Sequence, residues 1–186
     1  MSCVQSRVYF RVFANALTLL RIVGSLALLV LAPLSALYFA VYAACGASDV
    51  LDGWIARRAR VASAFGASLD SAADTVFTLA LIVSLLPMAG LPLALWLWIA
   101  AIALVKLSAL AIGYARFRVY AALHTYANKL AGLALFALPV AFVLISPVFA
   151  TAIVCCVATF AAAEELLITC TARILDRDVK GIRDRR

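Results

Sequence analysis

Four aspartates carry the chemistry open to this sequence: Asp49, Asp52, Asp70 and Asp74. The first two stand in the run Ser48-Asp49-Val50-Leu51-Asp52-Gly53-Trp54-Ile55-Ala56-Arg57. There Asp49, Asp52, Gly53, Ala56 and Arg57 fall at i, i+3, i+4, i+7 and i+8, which is one face of a helix. Gly66, Asp70 and Asp74 then recur at steps of four, again on one face. Two antiparallel helices joined by a short basic connection can bring these faces together, so that the four carboxylates converge. They offer hard oxygens with no His or Cys beside them, a donor set that selects Mg2+, Mn2+ or Ca2+ over zinc. Four carboxylates suit a site for two ions, which together hold a pyrophosphate and stabilise the charge of a phosphoryl displacement. The competing reading makes them solvated helix caps paired with Arg57, Arg58 and Arg60, but capping does not require one-face alignment on two successive helices.

The elements that position these residues are membrane helices. Of the 186 residues 67% are hydrophobic and 13% charged, with a mean hydropathy of +1.11. Soluble domains carry about 25% charge, so the bilayer must be the solvent of this chain. An aspartate at the centre of a membrane helix costs roughly 2.5–3.5 kcal/mol, and four of them persist where cations neutralise them and water reaches them. Apolar runs predict an all-α, polytopic membrane protein of one domain, 1–186. About six spans are expected, at 15–32, 36–55, 69–86, 93–114, 130–145 and 148–167. Before them, Val4, Val8 and Phe10 alternate with Arg7 and Arg11, which suits a short N-terminal interfacial helix. Arg7 and Arg11 ahead of an apolar run also resemble a signal peptide, but more membrane follows, so the run reads as a retained span.

The formal charge of +7 is not gathered into a nucleic-acid-binding domain. Basic residues recur at the ends of apolar runs: Arg57, Arg58 and Arg60, then Arg116, Arg118 and Lys129, then a tail from Arg173 to Arg186. The opposite connections, around Pro33, between Pro87 and Pro92 and at Ser146-Pro147, carry no charge. By the positive-inside rule both termini face the cytoplasm, and so does the carboxylate end of the bundle. Trp96 and Trp98 fit an outer aromatic belt and Trp54 an inner one. Cys3, Cys45, Cys155, Cys156 and Cys170 form no CxxC pair and read as free thiols.

Other charges stand within the spans. Arg21 shares a face with Asn15 and Thr18; it either borders the site or snorkels to the cytoplasmic boundary. Lys106 lies halfway along the fourth span, where an ammonium needs a partner, and Glu164 or Glu165 in the sixth can supply one. His124-Thr125-Tyr126-Ala127-Asn128-Lys129 reads either as a solvated loop or as part of an anion site. In that second reading Lys129 and Arg116 or Arg118, with Lys106 nearby, receive a phosphorylated acceptor.

The order Asp49-x-x-Asp52-Gly53-x-x-Ala56-Arg57, eight residues, Gly66-x-x-x-Asp70-x-x-x-Asp74 resembles the signature of the CDP-alcohol phosphatidyltransferases at every fixed position. Asn15-Ala16-Leu17-Thr18-Leu19-Leu20-Arg21 adds a weaker resemblance. The resemblance implies that Asp49, Asp52 and Asp70 bind two Mg2+ or Mn2+ ions. It implies that Asp74 also faces them and is the general base, and that Gly53, Ala56, Arg57 and Gly66 line the nucleotide site. It further implies transfer of a phosphatidyl group from CDP-diacylglycerol to a small polar acceptor with release of CMP, in the cytoplasmic membrane, by a homodimer. Glycerol 3-phosphate is the expected acceptor, with serine, inositol phosphate or another alcohol as alternatives. Ser71 and Thr75 depart from the proline and lysine common in phosphatidylglycerophosphate synthases. Val76-Phe77-Thr78 departs from the Ser-Phe-Gly common in phosphatidylserine synthases. A cation-coupled transporter is the competing class, but it predicts a second, repeated carboxylate set that the sequence lacks.

Overall fold

A computed structural model describes residues 3–59, 64–117 and 125–171. The side chains of 3–12, 14, 50, 52–59, 64–68, 71 and 117 lie outside that description. Among the described residues there are six α-helices and no strand: α1 (Cys3–Leu28), α2 (Ala36–Ala59), α3 (Ala64–Leu85), α4 (Leu93–Phe117), α5 (Tyr126–Leu144) and α6 (Pro147–Thr171). Helices are the expected answer to an apolar solvent, because each satisfies its own backbone polar groups.

The breaks fall where the sequence supplies breakers. Between α1 and α2, Pro33 is followed by Leu34 in the left-handed region at φ 61°. After α3 a 3-10 turn, Leu86–Ala89, leads into Gly90 at φ 58°, and Pro92 precedes α4. Thr125 caps α5, its hydroxyl accepting from the Asn128 N–H, and Pro147 opens α6 at the position where a missing N–H costs nothing. The segment before the first span is continuous with it in α1, since neither Gly nor Pro interrupts the chain before Gly24.

Among the described residues, four helices have the length and apolarity to cross a bilayer: Ala72–Ala89, Leu93–Arg116, Tyr126–Leu144 and Pro147–Thr171. Helix α1 contributes a shorter apolar stretch, Asn15–Leu28. Helix α2 ends in the run that holds Asp49, Asp52, Arg57 and Arg58, which lowers its hydropathy.

The chain divides into two compact units, Met1–Met88 and Ala89–Arg186. In the first, α1 packs on both α2 and α3. Its core includes Leu28, Tyr38, Tyr42, Cys45, Ala73, Leu81 and Leu85. Tyr42 stacks on Phe77 with ring centroids 6.2 Å apart, and the Tyr38 hydroxyl meets the Ser84 hydroxyl at 2.8 Å. Gly24 lets α1 approach α2: a Cβ there would lie 2.6 Å from Cys45 Sγ. In the second unit α6 packs on both α4 and α5. Leu104 and Leu107 on α4, Leu130, Leu133 and Val143 on α5 and Phe160 on α6 are exposed, as lipid-facing side chains are.

Candidate active site

The site is assembled in the first unit from three helices. Asp49 lies on α2, Asp70 and Asp74 one turn apart on α3, and Arg21 on α1. One oxygen from each of Asp49, Asp70 and Asp74 lies within 4.8 Å of the others, so these three side chains can hold a metal ion. The convergence expected from one-face spacing is met for these three. Asp52, Gly53, Ala56 and Arg57 fall within α2 and Gly66 within α3, with side chains outside the described set.

Arg21 stands at the centre. Its Nη1 lies 2.8 Å from Asp49 Oδ1, 3.1 Å from Asp70 Oδ1 and 2.8 Å from Asp74 Oδ1. The Arg21 side chain is 1% exposed, whereas the three carboxylates are 50%, 45% and 58% exposed. Arg21 therefore does not snorkel to water; it sits behind the aspartates, whose outer halves remain accessible. Its backbone is fixed too: the Arg21 carbonyl accepts from Ser25 Oγ at 2.7 Å and from Cys45 Sγ at 3.8 Å.

The donor set passes the test for a hard divalent cation. It is all oxygen, mutually close and half open to solvent, and one guanidinium set against three carboxylates leaves the cluster negative. Near-planar guanidinium groups usually meet carboxylates pairwise and bidentately. Here Arg21 Nη1 meets one oxygen of each of three carboxylates.

The second unit holds the other intramembrane charges. Lys106 Nζ donates to Glu165 Oε2 and to Asn128 Oδ1, each at 3.0 Å, and Asn128 Nδ2 donates to the same Glu165 oxygen at 3.1 Å. The closed triangle ties α4, α5 and α6 together, as the ion-pair reading of Lys106 expects, and selects Glu165 over Glu164 as its partner. Arg116 Nη1 donates to the carbonyls of Thr169 and Cys170 at the C-terminal end of α6, a favourable place for a cation. Lys129 lies over the Tyr126 ring, 5.8 Å from its centroid. Trp98 Nε1 donates to Thr159 Oγ1 at 2.9 Å. Arg118 and His124 lie outside the described residues. The role of Thr125 as a cap, and of Asn128 as the third member of the triangle, went unread in the sequence, although Thr-x-x-Asn ahead of an apolar run is a capping signal.

An all-helical membrane protein with carboxylates converging from two successive helices defines a class of enzymes that handle charged groups at the bilayer surface. The CDP-alcohol phosphatidyltransferase family model matches residues 11–176, nearly the whole chain, and the protein belongs to that family. No curated protein and no solved structure matched the chain. Membership assigns phosphatidyl transfer from a CDP-alcohol to an acceptor, with catalysis of the metal-dependent kind that the aspartate cluster can support.

Proposed function

We propose that this protein transfers the phosphatidyl group of CDP-diacylglycerol to the hydroxyl of glycerol 3-phosphate, releasing CMP at the cytoplasmic face of the cell membrane. The observation that carries the reading is the convergence of Asp49, Asp70 and Asp74, half exposed, within 4.8 Å of one another. Asp49, Asp52, Asp70 and Asp74 would hold two Mg2+ or Mn2+ ions. When bound, these neutralise the diphosphate and stabilise the charge of its displacement.

The chain's own residues do the rest. Gly53, Ala56 and Gly66 leave room for the nucleotide to approach the backbone, and Arg57 meets its phosphate charge. Asp74 takes the proton of the acceptor hydroxyl. The acceptor oxygen bonds to the lipid-bearing phosphorus as the bond from that phosphorus to the CMP oxygen breaks. Lys129 and Arg118, with Arg116, hold the phosphate of the acceptor. Lys106 joins them less readily, because its ammonium already serves Glu165 and Asn128. About six spans cross the bilayer, residues 1–186 act as one catalytic domain, and family resemblance supports a homodimer.

The test is CMP release by the purified protein from CDP-diacylglycerol, with glycerol 3-phosphate, inositol phosphate, serine and inositol offered at equal concentration and the lipid product identified. Glycerol 3-phosphate should be preferred, and alanine at Lys129 or Arg118 should raise its KM far more than that of the donor. Preference for serine or an uncharged alcohol would refute the acceptor and leave the CDP-dependent chemistry standing.

A further inference from the structure

The guanidinium of Arg21 supplies positive charge at the point where three carboxylates converge. An arginine Nη carries two hydrogens, yet Nη1 faces three carboxylate oxygens at 2.8, 3.1 and 2.8 Å, so two donors are shared among three charged acceptors. A divalent cation has no such directional limit. It draws hard oxygens in to about 2.0–2.6 Å, closer than any nitrogen can bring them, and carries twice the charge. A divalent cation held by these same three oxygens would repel a guanidinium nitrogen that stands 2.8, 3.1 and 2.8 Å from them, because both are positive and they compete for the same acceptors. Arg21 is also built to stay near. Its carbonyl is pinned by Ser25 and Cys45, so any movement of Nη1 has to come from the side-chain torsions.

We infer that Arg21 is an exchangeable internal counter-ion. It holds Asp49, Asp70 and Asp74 together in the metal-free protein and withdraws Nη1 from them when a divalent cation takes their oxygens. This rests on the reading of the aspartates as metal ligands. Arg21 is thus a positioning residue. It keeps mutually repelling carboxylates converged before loading, and it sets the metal affinity lower than the bare aspartates would have.

The experiment uses Mn2+ as the probe, with free ion counted by electron paramagnetic resonance, on the full chain in detergent. Unaltered protein should bind Mn2+, and Arg21→Gln should bind it roughly tenfold or more tightly, as removal of an opposing unit charge from a partly solvated site requires. Without metal, the same variant should unfold at a lower temperature than the unaltered protein, and Mn2+ should raise its Tm by more. A second measurement needs no variant. Modification of Arg21 by a dicarbonyl reagent, read by peptide mass spectrometry, should be slow without metal and faster when Mn2+ saturates the site. A folded Arg21→Gln protein with unchanged or weaker Mn2+ affinity overturns the exchange, and so does Arg21 equally protected with and without Mn2+. Should Arg21→Gln fail to fold, the labelling decides alone. Absence of Mn2+ binding by the unaltered protein removes the metal reading itself, and the exchange with it.

Discussion

Gly24 offers the sharpest perturbation of the site from outside it. It lies one turn beyond Arg21 on α1, and a Cβ at that position would sit 2.6 Å from Cys45 Sγ and 3.7 Å from Val41 Cγ1. Comfortable non-bonded contacts lie at about 3.5–4.0 Å, so the sulfur contact is short by about 1 Å. Cys45 is 4% exposed, and its thiol is directed at the Arg21 carbonyl. Relief therefore comes either from turning the thiol away from that carbonyl or from lifting α1 off α2. Overpacking of this kind costs about 1–3 kcal/mol. A displacement near 1 Å would also carry Nη1 away from oxygens it now meets at 2.8 Å. Gly24→Ala should accordingly lower thermal stability in detergent by about 1–3 kcal/mol and reduce CMP release. Cys45→Ala removes the clashing atom, so the double variant should be more stable than the two single losses added together, by about 1–2 kcal/mol. A Gly24→Ala protein within about 0.3 kcal/mol of the parent, or strict additivity with Cys45→Ala, would refute the close-packed α1–α2 contact.

Three further outcomes test the site and its surroundings. Because the donor set is hard oxygen, CMP release should stop in excess EDTA and return with Mg2+ or Mn2+; full turnover with chelator present would sink the two-ion reading. Asp74→Asn should lose about 10²-fold or more of its turnover. It should still bind CDP-diacylglycerol, and near-normal turnover would remove Asp74 from the role of base. For the triangle in the second unit, a cycle of Lys106→Met and Glu165→Gln should give a coupling of about 1 kcal/mol in unfolding, the scale of polar contacts between membrane helices. A coupling near zero would mean that the 3.0 Å contact contributes no stability.

What could be read beforehand follows the reach of each signal. Asp70 and Asp74, four residues apart, announce a shared face by spacing alone, and the structure brings Asp49 to them from the preceding helix. The breaks at Pro33, at Pro87 to Pro92 and at Ser146-Pro147 were equally local. Arg21 was not, because its position on its own helix suits a snorkelling side chain as well as a buried one. Only the approach of α1 to α2 and α3, permitted by Gly24, turns it into the centre of the cluster. Glu164 and Glu165 are adjacent and chemically alike; the rotation of α6 against α5, which sets Asn128 beside Glu165, decides between them. The start of α1 illustrates a related limit of local signals. Alternating charge describes a surface preference, and nothing in it marks where a helix must stop.

The polar groups of these helices differ in how far along the chain their partners lie, and that difference orders biogenesis. Thr151, Thr159, Thr169 and Thr171 each donate to a carbonyl four residues back, so each is satisfied as soon as its own turn of α6 exists. Arg21 meets Asp49 on the next helix, and Asp70 and Asp74 only 49 and 53 residues after itself. As the chain emerges from the ribosome, these threonine hydroxyls of α6 need no other helix, whereas Glu165 of the same helix needs Lys106 on α4 and Asn128 on α5. Helix α1 carries a guanidinium whose described partners lie on both α2 and α3, so its full set of ion pairs exists only once both helices have been made. The ion pairs of α1 therefore depend on all three helices of the first unit, whereas those hydroxyls of α6 depend only on their own helix.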